Sequence, residues 1–415
     1  MKGVLGLSSL VYLRPNLKRV LVSFTHFADK IWTFLLIGSF LSIFLASSCW
    51  YLFSSNSHQP FLKNYEILNS NHSKGICDFF DGRWVYDETH YPLYNASQCP
   101  FAEKGFNCLA NGRNDIGYLK WRWKPNNCEI PKLNVLSVLE KLRGKRVVFV
   151  GDSLGRTQWE SMICMLMEGI EDKRSVYEVN GNKITKQIRH LSVRFSTYNL
   201  MIEFYRSIFL VQPNAIVPKH SPKRVRSTIQ LDKLDNLSNE WVDSDFLIFN
   251  SAHWWTPTKL FEMGCYFQIG GKLKLGMSLH DAFRTAVTTW GNWIQNSIEP
   301  NRTMVFFRTF ESSHWSGKTC KVTKQPLVRT RGREHNLFSD IVMKSLKDLS
   351  VSVTSLRVTQ MGAFRSDAHV GIWSDNPTVA DCSHWCLPGL PETWNEILFA
   401  YVVKQDGICK YFIFH

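Results

Sequence analysis

Residues 147 to 160 read VVFVGDSLGRTQWE. Four consecutive apolar residues fit a strand buried on both faces, as in a parallel sheet. The run stops at Gly151, and beyond Asp152 and Ser153 the stretch from Gln158 to Met167 reads as a packed helix. A strand passing through so short a turn into a helix is half of a βαβ unit. Gly-Asp-Ser also has an ordinary explanation, since glycine accepts positive φ while Asp and Ser bond their neighbouring backbone. The rest of the chain decides between a turn and a site.

The same alternation continues downstream. LSVRFSTYNLMIEFYRSIFLV, from 191 to 211, fits two or three strands, and DFLIFN (245 to 250) is another. Between 278 and 298, Leu279, Phe283, Ala286, Val287, Trp290 and Ile294 recur at helical spacing. MVFFRTF (304 to 310) is strand-like, LFSDIVMKSLKDL (337 to 349) helical, and NEILFAYVVK (395 to 404) a closing helix. Residues 134 to 415 therefore read as an α/β domain, a largely parallel sheet flanked by helices. Residues 77 to 133 differ. Cys77, Cys99, Cys108 and Cys128 stand among aromatics and turn formers, which predicts a loop-rich minor lobe stapled by disulfides.

Residues 31 to 53, IWTFLLIGSFLSIFLASSCWYLF, carry no charge over about the length a helix needs to cross a bilayer. A signal peptide has a shorter apolar region and a small-residue cleavage site, so the run reads as a retained transmembrane anchor. Lys2, Arg14, Lys18, Arg19 and Lys30 precede it against Asp29 alone, which keeps residues 1 to 30 cytosolic by the positive-inside rule. The expected arrangement is single-pass type II, with a polar stem over 54 to 76. Ten of eleven cysteines lie beyond the anchor, and only Cys49 lies within it. The sequons at Asn71, Asn95, Asn236 and Asn301 fall on the same side, consistent with an oxidising compartment. The formal charge of +14 loses about four units to the tail. The compartment argues against nucleic acid, leaving an anionic polysaccharide or the lumenal membrane face as the partner suited to a basic domain, with a basic domain that takes no charged substrate as the equal alternative.

In open α/β sheets ligands bind beyond the carboxyl ends of the strands, where Ser153 stands at a helix N-terminus that favours developing negative charge. A serine hydroxyl becomes a nucleophile only when a base takes its proton, so a histidine and an orienting carboxylate are required. Asp381 and His384, in DCSHWCLPGLPETWNE, reach one face if the segment turns helically, and Cys382 and Cys386 would pin that turn by disulfides. Cys-Ser-His-Trp-Cys also offers zinc-type ligands, but the irregular spacing and oxidising surroundings argue for bridges and for no metal. A second pair, Asp367 and His369 in AFRSDAHVG, shares a face if extended; it serves as base or as a structural pair near the site. His253, in NSAHWW, is a third candidate. GDSLG fits the Gly-x-Ser-x-Gly elbow of α/β-hydrolases, but there the elbow follows several strands and an oxyanion loop, whereas here Ser153 follows the first strand.

Serine in Gly-Asp-Ser after the first strand, with Asp-x-x-His near the C-terminus, resembles the SGNH or GDSL hydrolases. More narrowly, CDFFDGRWV, CPF, YLKWRWKP, GDSLGRTQWESMICML and DCSHWCLPGLPETWNEIL resemble the plant trichome birefringence-like (PC-esterase) family from Cys77 onward. That resemblance implies a Golgi membrane enzyme that O-acetylates cell-wall polysaccharide, with an acetyl donor as co-substrate and no bound cofactor. It carries over Ser153 as nucleophile, His384 as base and Asp381 as its partner. It also suggests the pairs Cys77 with Cys128 and Cys99 with Cys164, with Cys265 and Cys409 free. DAHVGIW departs from the family where many members have proline after the histidine, and GCYFQ departs in carrying Cys265. Around this reading Asp152 and Asn250 are candidates at the oxyanion site, Asn250 alternatively capping its strand, and Arg156 for a uronate or local carbonyls. Trp254, Trp255, Trp315, Trp373 and Trp385 are candidates for stacking on sugars, about half of them structural. An acetyl esterase and a non-catalytic glycan-binding scaffold are the rival readings.

Overall fold

A computed structural model describes residues 77–89 and 92–403. The expected tail, anchor and stem, with Cys49, the Asn71 sequon and Cys409, lie outside the described residues. Among the described residues no helix is long and apolar enough to cross a membrane.

The segment from Cys77 to Cys128 is a run of loops and 3-10 turns around one antiparallel ribbon, β1 (Gly82–Tyr86) with β2 (Trp121–Pro125). The α/β part opens with α1 (Val135–Lys141), β3 (Arg146–Gly151) and α2 (Ser153–Met167). It continues through β4 (Val176–Glu178), β5 (His190–Phe195), β6 (Leu200–Arg206), β7 (Val211–Asn214), β8 (Ser227–Leu234) and β9 (Phe246–Asn250). The ribbon β10 (Cys265–Ile269) and β11 (Lys272–Lys274) leads to α3 (Leu279–Ser297) and β12 (Met304–Arg308). The short β13 (Trp315–Ser316) and β14 (Thr319–Cys320) precede α4 (Leu337–Lys347), β15 (Val353–Leu356) and α5 (Thr359–Ala363). Last come β16 (His369–Gly371), β17 (Asp381–Trp385) and α6 (Leu390–Val403).

Seven strands form the main sheet in the order β15-β12-β9-β3-β6-β5-β4. The four ladders from β15 to β6 are parallel, whereas β6 with β5 and β5 with β4 are antiparallel. A second sheet, β11-β10-β8-β7, is mixed. Strand β3 is central, and its residues divide by the two-residue period of a strand. Val147 and Phe149 join the core built with α1, α2 and α6, while Val148 and Val150 join the core built with α3 and α4. Each such side chain contributes about 1.5–3 kcal/mol on burial, which is why the apolar run has no polar alternation. The closing helix begins five residues earlier than its periodicity predicts, at Leu390, with Pro391 in a first turn that tolerates a missing N–H.

The Gly-Asp-Ser turn is built by packing. Gly151 ends β3 beside Asn250, which ends β9. A Cβ on Gly151 would lie 1.9 Å from Asn250 Oδ1, and one on Gly155 would lie 2.1 Å from the same atom. Neither glycine is at positive φ. Both leave room for the Asn250 amide, so the two glycines of GDSLG have a steric reason and the expectation of a positive-φ turn is corrected.

Four disulfides hold the described chain: Cys77–Cys128, Cys99–Cys164, Cys108–Cys386 and Cys320–Cys382. The first two are the pairs suggested by the family resemblance. Cys265 is free.

Two predictions follow from this packing. Gly151→Ala should destabilise the fold by about 1–3 kcal/mol through overpacking against Asn250, read as a lower urea midpoint with an unchanged slope. The second concerns Glu392, buried in α6, whose Oε1 accepts the Gly389 N–H at 2.9 Å. Burial, helped by the charge of Glu396, pushes its carboxyl up to about 8 from an ordinary 4.5. The folded chain keeps a proton that the unfolded chain has released, so this group lowers stability progressively as pH rises from about 5 to 8. Glu392→Gln keeps the acceptor and removes the ionisation. Its melting temperature should therefore fall less than that of the parent between pH 5 and pH 8.

Candidate active site

Ser153 is the first residue of α2, one position beyond the N-cap Asp152. Its Oγ lies 2.7 Å from His384 Nε2, and His384 Nδ1 lies 2.6 Å from Asp381 Oδ2. The carboxylate takes the Nδ1–H, which leaves Nε2 unprotonated and facing the serine O–H. The Asp381 Oδ1 accepts the backbone N–H groups of Ser383 and His384 at 2.8 and 2.9 Å. Burial disfavours the Asp381 charge, but the His384 ring and these two N–H groups outweigh it and hold the carboxyl well below the usual range. Asp381 is thus an anion at any pH at which the protein would work.

The two residues do not meet through a helical turn. Asp381–Trp385 is the strand β17, paired with β16 across an irregularity at His369 and Gly371. Asp381 folds back on its own backbone in an Asx-type turn, and this brings a residue three positions away to its other oxygen. Cys382 is bonded to Cys320 and Cys386 to Cys108, so both are consumed as disulfides and offer no thiolate to a metal. From the minor lobe, the Phe106 ring stacks on the His384 imidazole at 5.3 Å, and the Phe106 carbonyl accepts the Leu387 N–H at 2.8 Å. His384 is therefore positioned from three sides.

The other candidates occupy supporting positions. Asp152 is fully buried; its Oδ1 accepts the Leu154 N–H at 3.0 Å and the Asn250 amide at 2.7 Å. Asn250 thus anchors the turn that presents Ser153, as a strand-end residue bonded to Asp152. His253 stacks on Phe310, its Nε2 donates to the Glu311 carbonyl at 2.8 Å, and burial lowers its proton affinity to about 4. Asp367 is gripped by Arg365 at 2.9 Å. The His369 Nδ1–H donates to the His384 carbonyl at 2.9 Å, and its Nε2 meets His314 Nδ1 at 2.7 Å. Asp367 lies in a 3-10 turn and His369 opens β16, so they do not form an extended pair, and neither reaches the Ser153 cleft. Arg156 lines the cleft and is buried and ion-paired with Glu160 at 2.5 Å and with Glu103, so carboxylates of the chain itself engage its guanidinium. Trp254 and Trp315 line the cleft; Trp255 and Trp385 are buried in the interior, and Trp373 packs on the Arg113 guanidinium.

A cleft of about 690 Å³ opens over Ser153 and His384. Its walls include residues that carry no motif in the sequence: Phe106, Lys186, Phe204, Arg206 and Lys259. Phe106 stands two residues before Cys108, and that disulfide is the signal that could have found it. Arg206 ends β6, the strand next to β3, and is placed by the strand-end rule once the sheet order is known.

Residues 130–401 match the model of the PC-Esterase family, described as a GDSL/SGNH-like Acyl-Esterase family found in Pmr5 and Cas1p. Residues 75–129 match the PMR5 N terminal Domain. The chain is 61% identical over 330 residues to Protein trichome berefringence-like 7 of Arabidopsis thaliana, covering 79% of this chain and 74% of that protein. It is 38% identical over 362 residues to Protein trichome birefringence-like 9 of the same plant, covering 82% and 87%. With Protein trichome birefringence it shares 37% over 357 residues, covering 82% and 58%. A serine at the head of the sheet's first helix, an Asp-x-x-His near the C-terminus and these matches agree: the chain belongs to the PC-esterase family and to its trichome birefringence-like members.

Proposed function

We propose that this protein is an O-acetyltransferase that moves acetyl from a donor to a hydroxyl of a plant cell-wall polysaccharide, a hemicellulose such as xylan or a pectin, through an acetyl-enzyme on Ser153. The unbroken hydrogen-bonded chain from Ser153 through His384 to Asp381 carries this reading. His384 Nε2 accepts the serine proton as Oγ attacks the donor's acetyl carbon, and the same proton then leaves on the departing group. A glycan hydroxyl next gives its proton to His384 and attacks the acetyl-serine; the ester bond to Oγ breaks and Ser153 recovers the proton. Asp381 stays ionised and stabilises the transient imidazolium. The oxyanion forms at the N-terminus of α2, where the Ser153 N–H and the helix dipole favour negative charge.

Several features support a Golgi lumenal location for this reaction: the apolar run 31–53, the cations before it and the four disulfides beyond it. The anchor then joins the enzyme to the Golgi membrane, and the donor is a co-substrate with no resident cofactor. The description of the matching family as Acyl-Esterase favours a second reading, in which water takes the place of the glycan hydroxyl. The same three residues serve both reactions.

The test is to incubate the full chain with 4-nitrophenyl acetate and deacetylated xylan or pectin oligosaccharides, then weigh the oligosaccharides. Transfer adds the mass of acetyl to them, whereas acetate released without that gain identifies an esterase. Ser153→Ala should retain the parent's circular dichroism and lose transfer altogether. Full activity in that variant would end the covalent mechanism. Asp381→Asn should lose about four orders of magnitude in turnover, because the amide no longer fixes the imidazole tautomer.

A further inference from the structure

Charge on the walls of the Ser153 cleft is not balanced. Of its acidic residues, Glu103 is engaged by Arg156, which leaves Asp375 and Asp381, the latter holding the His384 Nδ1–H. Against these two stand three cations, Lys186, Arg206 and Lys259. The Lys259 Nζ donates to the His253 carbonyl at 3.1 Å and lies 4.5 Å from the Trp254 ring centre. Lys186 and Arg206 are exposed, and among the described residues neither side chain is held by an ion pair or a hydrogen bond.

Arg206 has a second role in the surface. It also lines an adjoining hollow of about 370 Å³, walled by Gln187, Arg189, Phe209, Pro213 and Asp235. In that hollow Arg189 is already paired with Asp235 at 2.6 Å, so Arg206 is its available cation. The catalytic cleft alone has the volume of a site for a drug-sized ligand. The adjoining hollow is surplus to one sugar, and it suits the continuation of a polymer. A guanidinium shared by the two spaces is placed to bind a planar carboxylate through two parallel hydrogen bonds, with Lys186 on the wall of the same cleft.

Resting on the reading of the site given above, we infer that the acceptor is a glycan chain bearing uronate residues. It runs from the triad past Arg206 into the adjoining hollow, with one carboxylate held by Arg206 and Lys186. Trp254 and Trp315, on the walls of the same cleft, supply flat apolar faces. Neutral glycans of the same length lack the group that this junction recognises.

The experiment measures binding apart from chemistry. The intrinsic tryptophan fluorescence of the full chain is titrated with a galacturonate hexasaccharide and with the same hexasaccharide fully methyl-esterified, at low and at moderate salt. The free acid should bind about tenfold more tightly, and salt should weaken its binding without affecting the ester. Arg206→Gln should remove most of the difference between the two ligands, and Arg206→Lys should restore part of it. Equal affinities for acid and ester, or a preference that survives Arg206→Gln together with Lys186→Gln, would overturn the inference. Acetylation of Ser153 by 4-nitrophenyl acetate, followed by mass in parallel, tests the chemistry separately. Its failure beside a preserved preference for the free acid would remove the acetyl-enzyme and leave the uronate junction standing.

Discussion

A 2.7 Å hydrogen bond joins Ser153 to His384 across 231 residues of chain. Neither partner can fix that distance alone. Ser153 is placed by β3, the central strand, and by the cap that Asp152 makes on α2. His384 is placed by a short two-stranded ribbon, by an Asx turn and by two disulfides that reach residues distant in sequence. A small shift in either support would lengthen the bond and part the serine from its imidazole partner, so the interior is organised around rigidity at these two places.

The first support is a packing device. Asn250 ends β9, and its amide sits against Gly151 and Gly155 while it bonds Asp152. Strand order, helix cap and nucleophile position are thereby coupled through one side chain. The second support relies on cross-links because the segment before α6 has little regular structure. Cys108–Cys386 ties the minor lobe to the residues just after His384, and the lobe answers by laying Phe106 on the imidazole. The lobe is thus a wall of the site as well as an appendage to the sheet. Its staples span long loops, where cross-linking removes most entropy from the unfolded chain.

The buried polar groups around this frame have divided tasks. His369 hydrogen-bonds the His384 carbonyl, whereas Asp367 is locked by Arg365, so of the second Asp-His motif only the histidine braces the first. His253, pushed toward its neutral form, lies behind the turn with Glu311. Two histidines that resemble bases by motif alone are therefore walled off from the cleft. The same separation explains the tryptophans: Trp255 and Trp385 fill the interior, and Trp254 and Trp315 face the open space.

The apolar runs that make β3, β9 and β12, the helical spacing of α2 and α3, and the Gly-Asp-Ser turn were legible in the chain, because burial on one or two faces imposes a period that composition displays. So was the grouping of Ser153 with Asp381 and His384, which the structure brings within hydrogen-bond distance, since a serine, a histidine and a carboxylate form a familiar set and the motifs offer few of each. The second sheet was not legible. Strand β8 carries Gln230, Asp232 and Lys233, and β10 interrupts its apolar residues with Gln268, so their pairing depends on neighbours distant in sequence. Nor could spacing show that Asp381 and His384 meet in an extended ribbon, that Arg156 is already paired, or that Arg206 joins two hollows. Sequence determined the chemistry and the alternation of the elements, because both are properties of residues and their near neighbours. Only the tertiary structure decided which side chains face the cleft, because that depends on strand order and on cross-links between segments that no local pattern records.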